Sequence, residues 1–277
     1  MNKRTHREGS TIADKNNISI GRISAAVFFG FLMGAAAGLI GVGGGEFRIP
    51  ILLYVIGLPV ITAIAVNLLV GLLTVVVSFL RRFQLGLLTG GGLNVALAMS
   101  LGSIIGAYLG ALSTGKVSEK PLKRALAIFL VIVGLKIGLE PLIEIPFSLR
   151  LTPGIVEELI LAVLVGVLIG VISGMLGVAG GEFRIPALIY LFGFNIVAAG
   201  TISLLVSIPT VAMGFVKHRN MGHTNRNASI IATIMGVGSI LGALVGASYA
   251  SLVDENFLKM LLGTILILAT VRMLTKP

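Results

Sequence analysis

Residues 50–80 run for 31 positions without a charged side chain, and residues 186–216 do the same 136 positions later. As α-helix, 31 residues reach about 46 Å, which exceeds one perpendicular crossing of a bilayer whose hydrocarbon core is about 30 Å thick. No soluble fold tolerates several such runs, so the chain must place them in lipid. Composition agrees: hydrophobic residues make up 56% of the 277, charged residues 12%, and the mean hydropathy is +1.05, against roughly 25% charge in a soluble domain. The runs are continuous and do not alternate, which selects membrane-spanning helices over a β-barrel. The expected fold class is all-α, a polytopic membrane protein.

Each long run is preceded by the same decapeptide. Gly41-Val42-Gly43-Gly44-Gly45-Glu46-Phe47-Arg48-Ile49-Pro50 recurs at residues 177–186, with Ala179 in the place of Gly43 as the one change. The offset of 136 also pairs Gly30, Gly34 and Gly38 with Gly166, Gly170 and Gly174, Tyr54 with Tyr190, Thr74 with Thr210, and Ser103 with Ser239. One gapless offset serving all of these signals a duplication. We read residues 1–22 as a basic cytoplasmic tail, 23–139 as the first transmembrane repeat, 140–154 as a linker and 155–277 as the second repeat. Glycines at four-residue spacing (Gly30, Gly34, Gly38; Gly102, Gly106, Gly110) form smooth stripes on which another helix can pack closely.

Within each repeat the expectation is four spans and one broken half-helix. In the first repeat the spans fall at about 23–40, 60–80, 93–112 and 126–139, with a half-helix at 50–57 set off by Gly57 and Pro59. The second repeat follows at 156–176, 186–216 (again too long for one span, with Gly193 inside), 229–250 and 257–274. Proline at the first helical position suggests that the half-helices start at Pro50 and Pro186. This gives two homologous four-helix halves and about eight transmembrane helices. Counting Lys and Arg for eight spans puts fourteen on the side of the tail and five opposite, which favours parallel halves with both termini cytoplasmic. The basic residues at 116–124 and the Glu-rich linker dissent; were the half-helices to cross, each half would have an odd count and the halves would be inverted.

The net charge of +10 is explained by basic loops that stay cytoplasmic; no aromatic-basic motif speaks for nucleic acid. With no Cys in the sequence, disulfides and thiolate chemistry are excluded. Residues 1–22 lack the pattern of a cleavable signal peptide. No metal site or other cofactor is expected.

Four ionisable residues at membrane depth (Glu46, Arg48, Glu182, Arg184) would cost roughly 10 kcal/mol if unpaired, at about 2.5–3.5 each. They are therefore expected to be paired, ligand-bound or hydrated. Glycines in succession (Gly43, Gly44, Gly45; Gly180, Gly181) can form a concavity of N–H groups for an oxyanion. Arginine adds a planar fork that grips two oxygens at once. The candidate substrate-binding set is Arg48, Arg184, Glu46, Glu182, these five glycines, Tyr54, Tyr190, Asn67 and Ser203. Glu46 and Glu182 are expected to orient the arginines, with proton coupling as their alternative role. His6, His218 and His223 are read as solvated loop residues. Enzyme chemistry lacks the residues it needs, since no Cys, intramembrane Asp or Ser–His pairing is present.

The repeated glycine-rich motif closing on proline (Gly41, Gly43, Gly44, Gly45, Pro50; Gly177, Gly180, Gly181, Pro186) in two membrane halves resembles the TauE/SafE family of sulfite and organosulfonate exporters. The resemblance covers residues 25–275 and implies a permease of the cytoplasmic membrane. It further implies a small anionic substrate, with the lipid bilayer as partner and a homo-oligomer left open. The chain departs from that pattern at Ala179, Glu46 and Arg48. The expected function is alternating-access transport of small oxyanions held between the two breaks; the alternatives are an anion channel and a membrane assembly protein that transports nothing.

Overall fold

The computed structural model describes residues 20–113, 119–143, 154–221 and 226–275. Among these residues every regular element is helical. The first five are α1 (Ile20–Ile40), the short α2 (Gly45–Pro50) passing into a π-helical turn at Ile51–Val55, α3 (Val60–Gln84), α4 (Gly90–Ser113) and α5 (Glu119–Leu139). The other five are α6 (Ile155–Leu176), α7 (Gly181–Tyr190), α8 (Ile196–Asn220), α9 (Arg226–Tyr249) and α10 (Glu255–Thr275). The all-α expectation holds. Six helices (α1, α3, α4, α6, α8 and α9) are long and apolar enough to cross a bilayer. α5 and α10 match them in length, 21 residues each, but begin with charged residues. Most of the expected tail, residues 144–153 of the linker, His6 and His223 lie outside the described residues.

Polarity is arranged for lipid. Leu101, Ile132 and Leu168 are more than 60% exposed, whereas Arg48, Arg82 and Arg184 are 0% exposed. The core sits around α3 and α8, flanked by the pairs α1–α9, α4–α6 and α5–α10. The glycine stripes make two of those pairs. A Cβ on Gly30, Gly34 or Gly38 would collide with the backbone carbonyl of Met235, Ser239 or Ala243, and one on Gly238, Gly242 or Gly246 with that of Val27, Phe31 or Ala35. Gly102, Gly106 and Gly110 meet Val163, Val167 and Val171 in the same way. Lipid offers no hydrophobic force between helices, so such close backbone approach supplies the packing energy. Overpacking costs about 1–3 kcal/mol or more. Gly242→Leu should therefore lower the melting temperature clearly, while Gly21→Ala, with nothing within 4 Å of its Cβ, should leave it unchanged. Equal melting temperatures would refute the stripe's role.

Chain direction follows from the same contacts. Partner numbers rise together along α1–α9 and along α4–α6, so each pair is parallel. α3 and α8 are antiparallel: Gly214 meets Leu68, Gly71 meets Val211, and Arg82 near the end of α3 bonds to Val197 and Thr201 in the first turns of α8. Arg82 also bonds to Gly38 and Leu39 at the end of α1, while Gly57 lies beside Arg22 near its start. Residues 41–57 thus travel back along the length of α1, and α3 then runs parallel to α1.

Two expectations need correction. The short helices start at Gly45 and Gly181, five residues before the prolines. Gly44 (φ 70°) and Gly180 (φ 76°) take left-handed conformations as N-caps, which glycine adopts freely, so the helices begin as soon as the glycines end. The over-long run 186–216 is divided as the offset from Gly57 implies, by a turn holding Gly193 (φ 74°) between α7 and α8. The eight-span count put Lys136 and Lys259 on opposite sides; both contact Glu140.

Candidate functional site

The two breaks abut. A Cβ on Gly43 would lie 2.8 Å from the Ala179 methyl, and Gly181 packs against the backbone of Val42. Gly43 and Ala179 occupy equivalent places in the repeated decapeptide and face each other, so there is room for one methyl and not for two. This accounts for the one difference between the copies. Gly43→Ala should destabilise, through both this clash and its φ of 94°, and adding Ala179→Gly should recover part of the loss. A fully additive pair would show that the two positions do not touch.

Each break is tied to a long helix of the opposite set. Asn67 Nδ2 on α3 donates to the Gly177 carbonyl at 3.3 Å, and Ser203 Oγ on α8 donates to the Gly41 carbonyl at 3.1 Å. Gly177 and Gly41 are equivalent first residues of the two breaks, as Asn67 and Ser203 are equivalent helix positions. Asn67 and Ser203, both in the candidate substrate-binding set, therefore stitch the breaks across the centre.

The guanidinium groups lie behind these stitches. Arg48 Nη1 donates to Asn67 Oδ1 at 3.1 Å and to its carbonyl at 3.5 Å; Nη2 donates to the Gly43 carbonyl at 3.3 Å and to Thr74 Oγ1 at 3.4 Å. Arg184 Nη1 donates to the Ser203 carbonyl at 3.0 Å and to Ser207 Oγ at 2.7 Å; Nη2 donates to the Ala179 carbonyl at 3.3 Å. The Nε of each has no acceptor. Each fork thus grips the middle carbonyl of its own break and the polar face of the following long helix. Thr74 is itself paired with Ser239 Oγ of α9 at 2.7 Å, which links the first break to the α1–α9 pair.

Glu46 (6% exposed) and Glu182 (2%) stand in the first turns of α2 and α7, where the helix dipole favours negative charge. Their carboxyl groups meet each other, side chain to side chain. Gly44 and Gly180 cap the helices, Gly45 lies against the Asn67 amide, and Gly181 makes the close approach to Val42.

The two tyrosines are not brought to this junction. Tyr54 is 61% exposed at the far end of the π-turn. Tyr190 donates to Glu140 Oε2 at 2.9 Å, under the Lys136 ammonium 3.7 Å from its ring centroid. Partial burial alone would raise the Glu140 carboxyl, but hydrogen bonds from Lys259 and Tyr190 and the charges of Lys259 and Lys136 outweigh it and hold the group below the usual carboxylate range. A carboxyl held low in the folded state stabilises above its unfolded-state pKa and loses that contribution as pH falls through the folded value. Glu140→Gln should therefore show a flatter acid limb in melting temperature than wild type. Superimposable acid limbs would mean that the cluster contributes no stability.

Sequence reasoning missed Thr74, Ser207 and Arg82. Thr74 and its partner Ser239 stood among the repeat-matched polar residues; Ser207 replaces Gly71 in the repeat and gave no signal. Arg82 closes an apolar run, as span-ending arginines do, yet turns inward with all of its bonds on protein oxygens. Its repeat equivalent, His218, is 9% exposed in the last turn of α8, which corrects the reading of that histidine as solvated.

No curated protein and no solved structure matches the chain. The family description "Sulfite exporter TauE/SafE" matches residues 3–137 and 162–277, which take in both breaks, eight of the ten helices whole and most of α5 and α6. A bundle with six helices of membrane-spanning length agrees with a family of integral membrane transport proteins. The chain belongs to the sulfite exporter TauE/SafE family.

Proposed function

We propose that the protein carries small oxyanions, sulfite or an organosulfonate, across the cytoplasmic membrane by alternating access, with the anion held where the two breaks meet. The observation that carries this reading is the junction itself. The glycine stretches that lead into two identical Glu-Phe-Arg segments abut, and each segment carries a guanidinium that is 0% exposed. Such groups at membrane depth mark substrate paths, and sites between duplicated halves are the common transporter plan. Every polar group at the junction is shielded from outside, which fits an occluded state of a carrier better than an open channel. For an anion to enter, a break must part from its neighbours and free its arginine fork.

The halves are best read as inverted. The segments 41–59 and 177–195 then count as crossings, each half has five, and the antiparallel α3–α8 pair lies on the pseudo-twofold axis. The sequence's basic residues again divide fourteen to five. This time 116–124 falls with the tail, while Lys136 and Lys259 fall together opposite. Both termini are then cytoplasmic, and neither objection to the eight-span count remains.

A thermal-shift screen of sulfite, thiosulfate, sulfate and short alkylsulfonates on purified protein tests the substrate class, because an anion bound to the folded state raises the melting temperature. At a hundredfold excess over Kd the stabilisation is about 2.7 kcal/mol. Sulfite or a sulfonate should give the largest shift, and the same anion should show saturable counterflow in proteoliposomes. No shift with any sulfur oxyanion, and no counterflow, would remove the proposal.

A further inference from the structure

We infer that Glu46 and Glu182 form one shared proton site at the junction of the breaks, and that the proton enters and leaves together with the anion. This rests on the carrier reading above and adds the coupling ion to it.

The geometry is specific. Both side chains are more than nine-tenths buried, both stand in the first turn of a short helix, the glycine stretches that lead into those helices abut at Gly43 and Ala179, and the Glu182 side chain is in hydrogen-bonding reach of the Glu46 side chain. An ionised carboxylate is a pure acceptor, and Oε2 of Glu182 takes no hydrogen bond from a protein donor. Two carboxyl groups in contact join by a hydrogen bond only when one of them carries a proton, as paired acids in other sites do. The neighbouring cations do not supply that proton: the Nη groups of Arg48 and Arg184 are spent on carbonyl, amide and hydroxyl oxygens.

Charge arithmetic then couples proton to anion. Two guanidinium groups and two carboxylates sum to zero, which gives an anion no net attraction. One proton taken from water, bound between the carboxyl oxygens as O–H···O, leaves the four groups at +1, the complement of a monoanion. Loss of the proton returns the site to neutral and releases the anion. Other ionisable residues on the helices packed against the breaks stand at helix ends: Arg22 on α1, Arg81 and Arg82 on α3, Glu119, Lys120, Lys123, Arg124 and Lys136 on α5, Glu157 and Glu158 on α6, and Lys217, His218 and Arg219 on α8. Proton and monoanion move in one direction and are electrically neutral together, so the membrane potential neither drives nor opposes the step, and the anion gradient and the pH gradient set its direction.

The test uses the full-length protein in proteoliposomes with an internal pH dye and methanesulfonate, whose charge is fixed across the working range. Wild-type uptake should acidify the lumen in proportion to anion moved, and its apparent affinity should weaken as pH rises. Glu182→Gln and Glu46→Gln, in which the amide stands for a permanently protonated carboxyl, should keep binding methanesulfonate but lose lumen acidification at least tenfold and show a pH-independent affinity. Acidification per anion unchanged in either folded variant would overturn the proposal, as would wild-type uptake without proton movement. If a variant does not fold, infrared titration of wild-type protein decides: a protonated-carboxyl band that persists at neutral pH and shifts when methanesulfonate is added supports the site, and its absence contradicts it. Wild-type protein that moves no sulfur oxyanion at all would instead sink the carrier reading, leaving the infrared result to judge the carboxyl pair on its own.

Discussion

Proteoliposomes carrying Arg48→Gln or Arg184→Gln should bind and move sulfite at least tenfold more weakly than wild type, and the double variant should be inactive. A fork that leaves Asn67 and Thr74, or Ser203 and Ser207, to take an anion exchanges neutral acceptors for a charged one. Charge-assisted hydrogen bonds contribute about 1.5–3 kcal/mol each, so losing one corresponds to roughly a ten- to hundredfold loss in affinity. The competing possibility is that each arginine only clamps its break, since breaking a buried polar network is damaging whether or not it binds anything. The two are separated by measuring affinity on the folded fraction. A clamp lowers the melting temperature and leaves the Kd of surviving protein unchanged; a binding residue raises the Kd. Wild-type Kd and flux in both folded single variants would rule the arginines out as ligands.

Arg82→Ala should be the most destabilising substitution in the chain outside the junction, on the order of 3 kcal/mol or more. Its guanidinium donates to the Gly38, Leu39 and Val197 carbonyls at 2.9, 2.7 and 3.0 Å and to Thr201 Oγ1 at 3.1 Å. The carbonyls at the end of α1 have no intrahelical partner, and each buried group left unsatisfied costs about 1–3 kcal/mol. Arg82→Lys should recover only part, because an ammonium is a point charge and cannot reach two helices with a planar fork. The measurement is a melting curve in detergent together with crosslinking between the end of α1 and the start of α8. Wild-type stability for Arg82→Ala would show that water replaces the arginine without cost and that the α1–α8 contact is held by packing alone.

Much of the architecture was legible in the chain. Uncharged runs of 31 residues forced a membrane protein, and the offset of 136 located both breaks, both Gly57-type turns and the glycine stripes. The arginine forks and the Asn67–Ser203 equivalence were legible as chemistry but not as contacts. Periodicity says which face of a helix is polar and not which neighbour it meets, so Asn67 could be placed among the candidate site residues while its bond to the Gly177 carbonyl could not be read. The start of the short helices was missed because proline is tolerated within their first two turns, while the left-handed caps at Gly44 and Gly180 leave no mark beyond the glycine run. Arg82 was missed for a general reason: a charge at the end of an apolar run ordinarily snorkels to the interface, and only bare carbonyls nearby turn it inward. The sidedness was not legible because a segment made of a glycine break and about ten helical residues falls below any length expected of a span, so a count of spans passes over it.

That crossing is the point on which everything else rests. If segments 41–59 and 177–195 cross in opposite senses, the breaks meet in the middle and their arginines and glutamates share one site. The sequence contains no cysteine, so single cysteines can be placed on an unmodified background. Leu85→Cys and Leu142→Cys, both at exposed positions, should react with a membrane-impermeant maleimide added outside intact cells, as should Leu252→Cys, while Met221→Cys should react only after permeabilisation. Labelling of Leu85→Cys and Leu142→Cys only after permeabilisation would restore parallel halves and contradict the account.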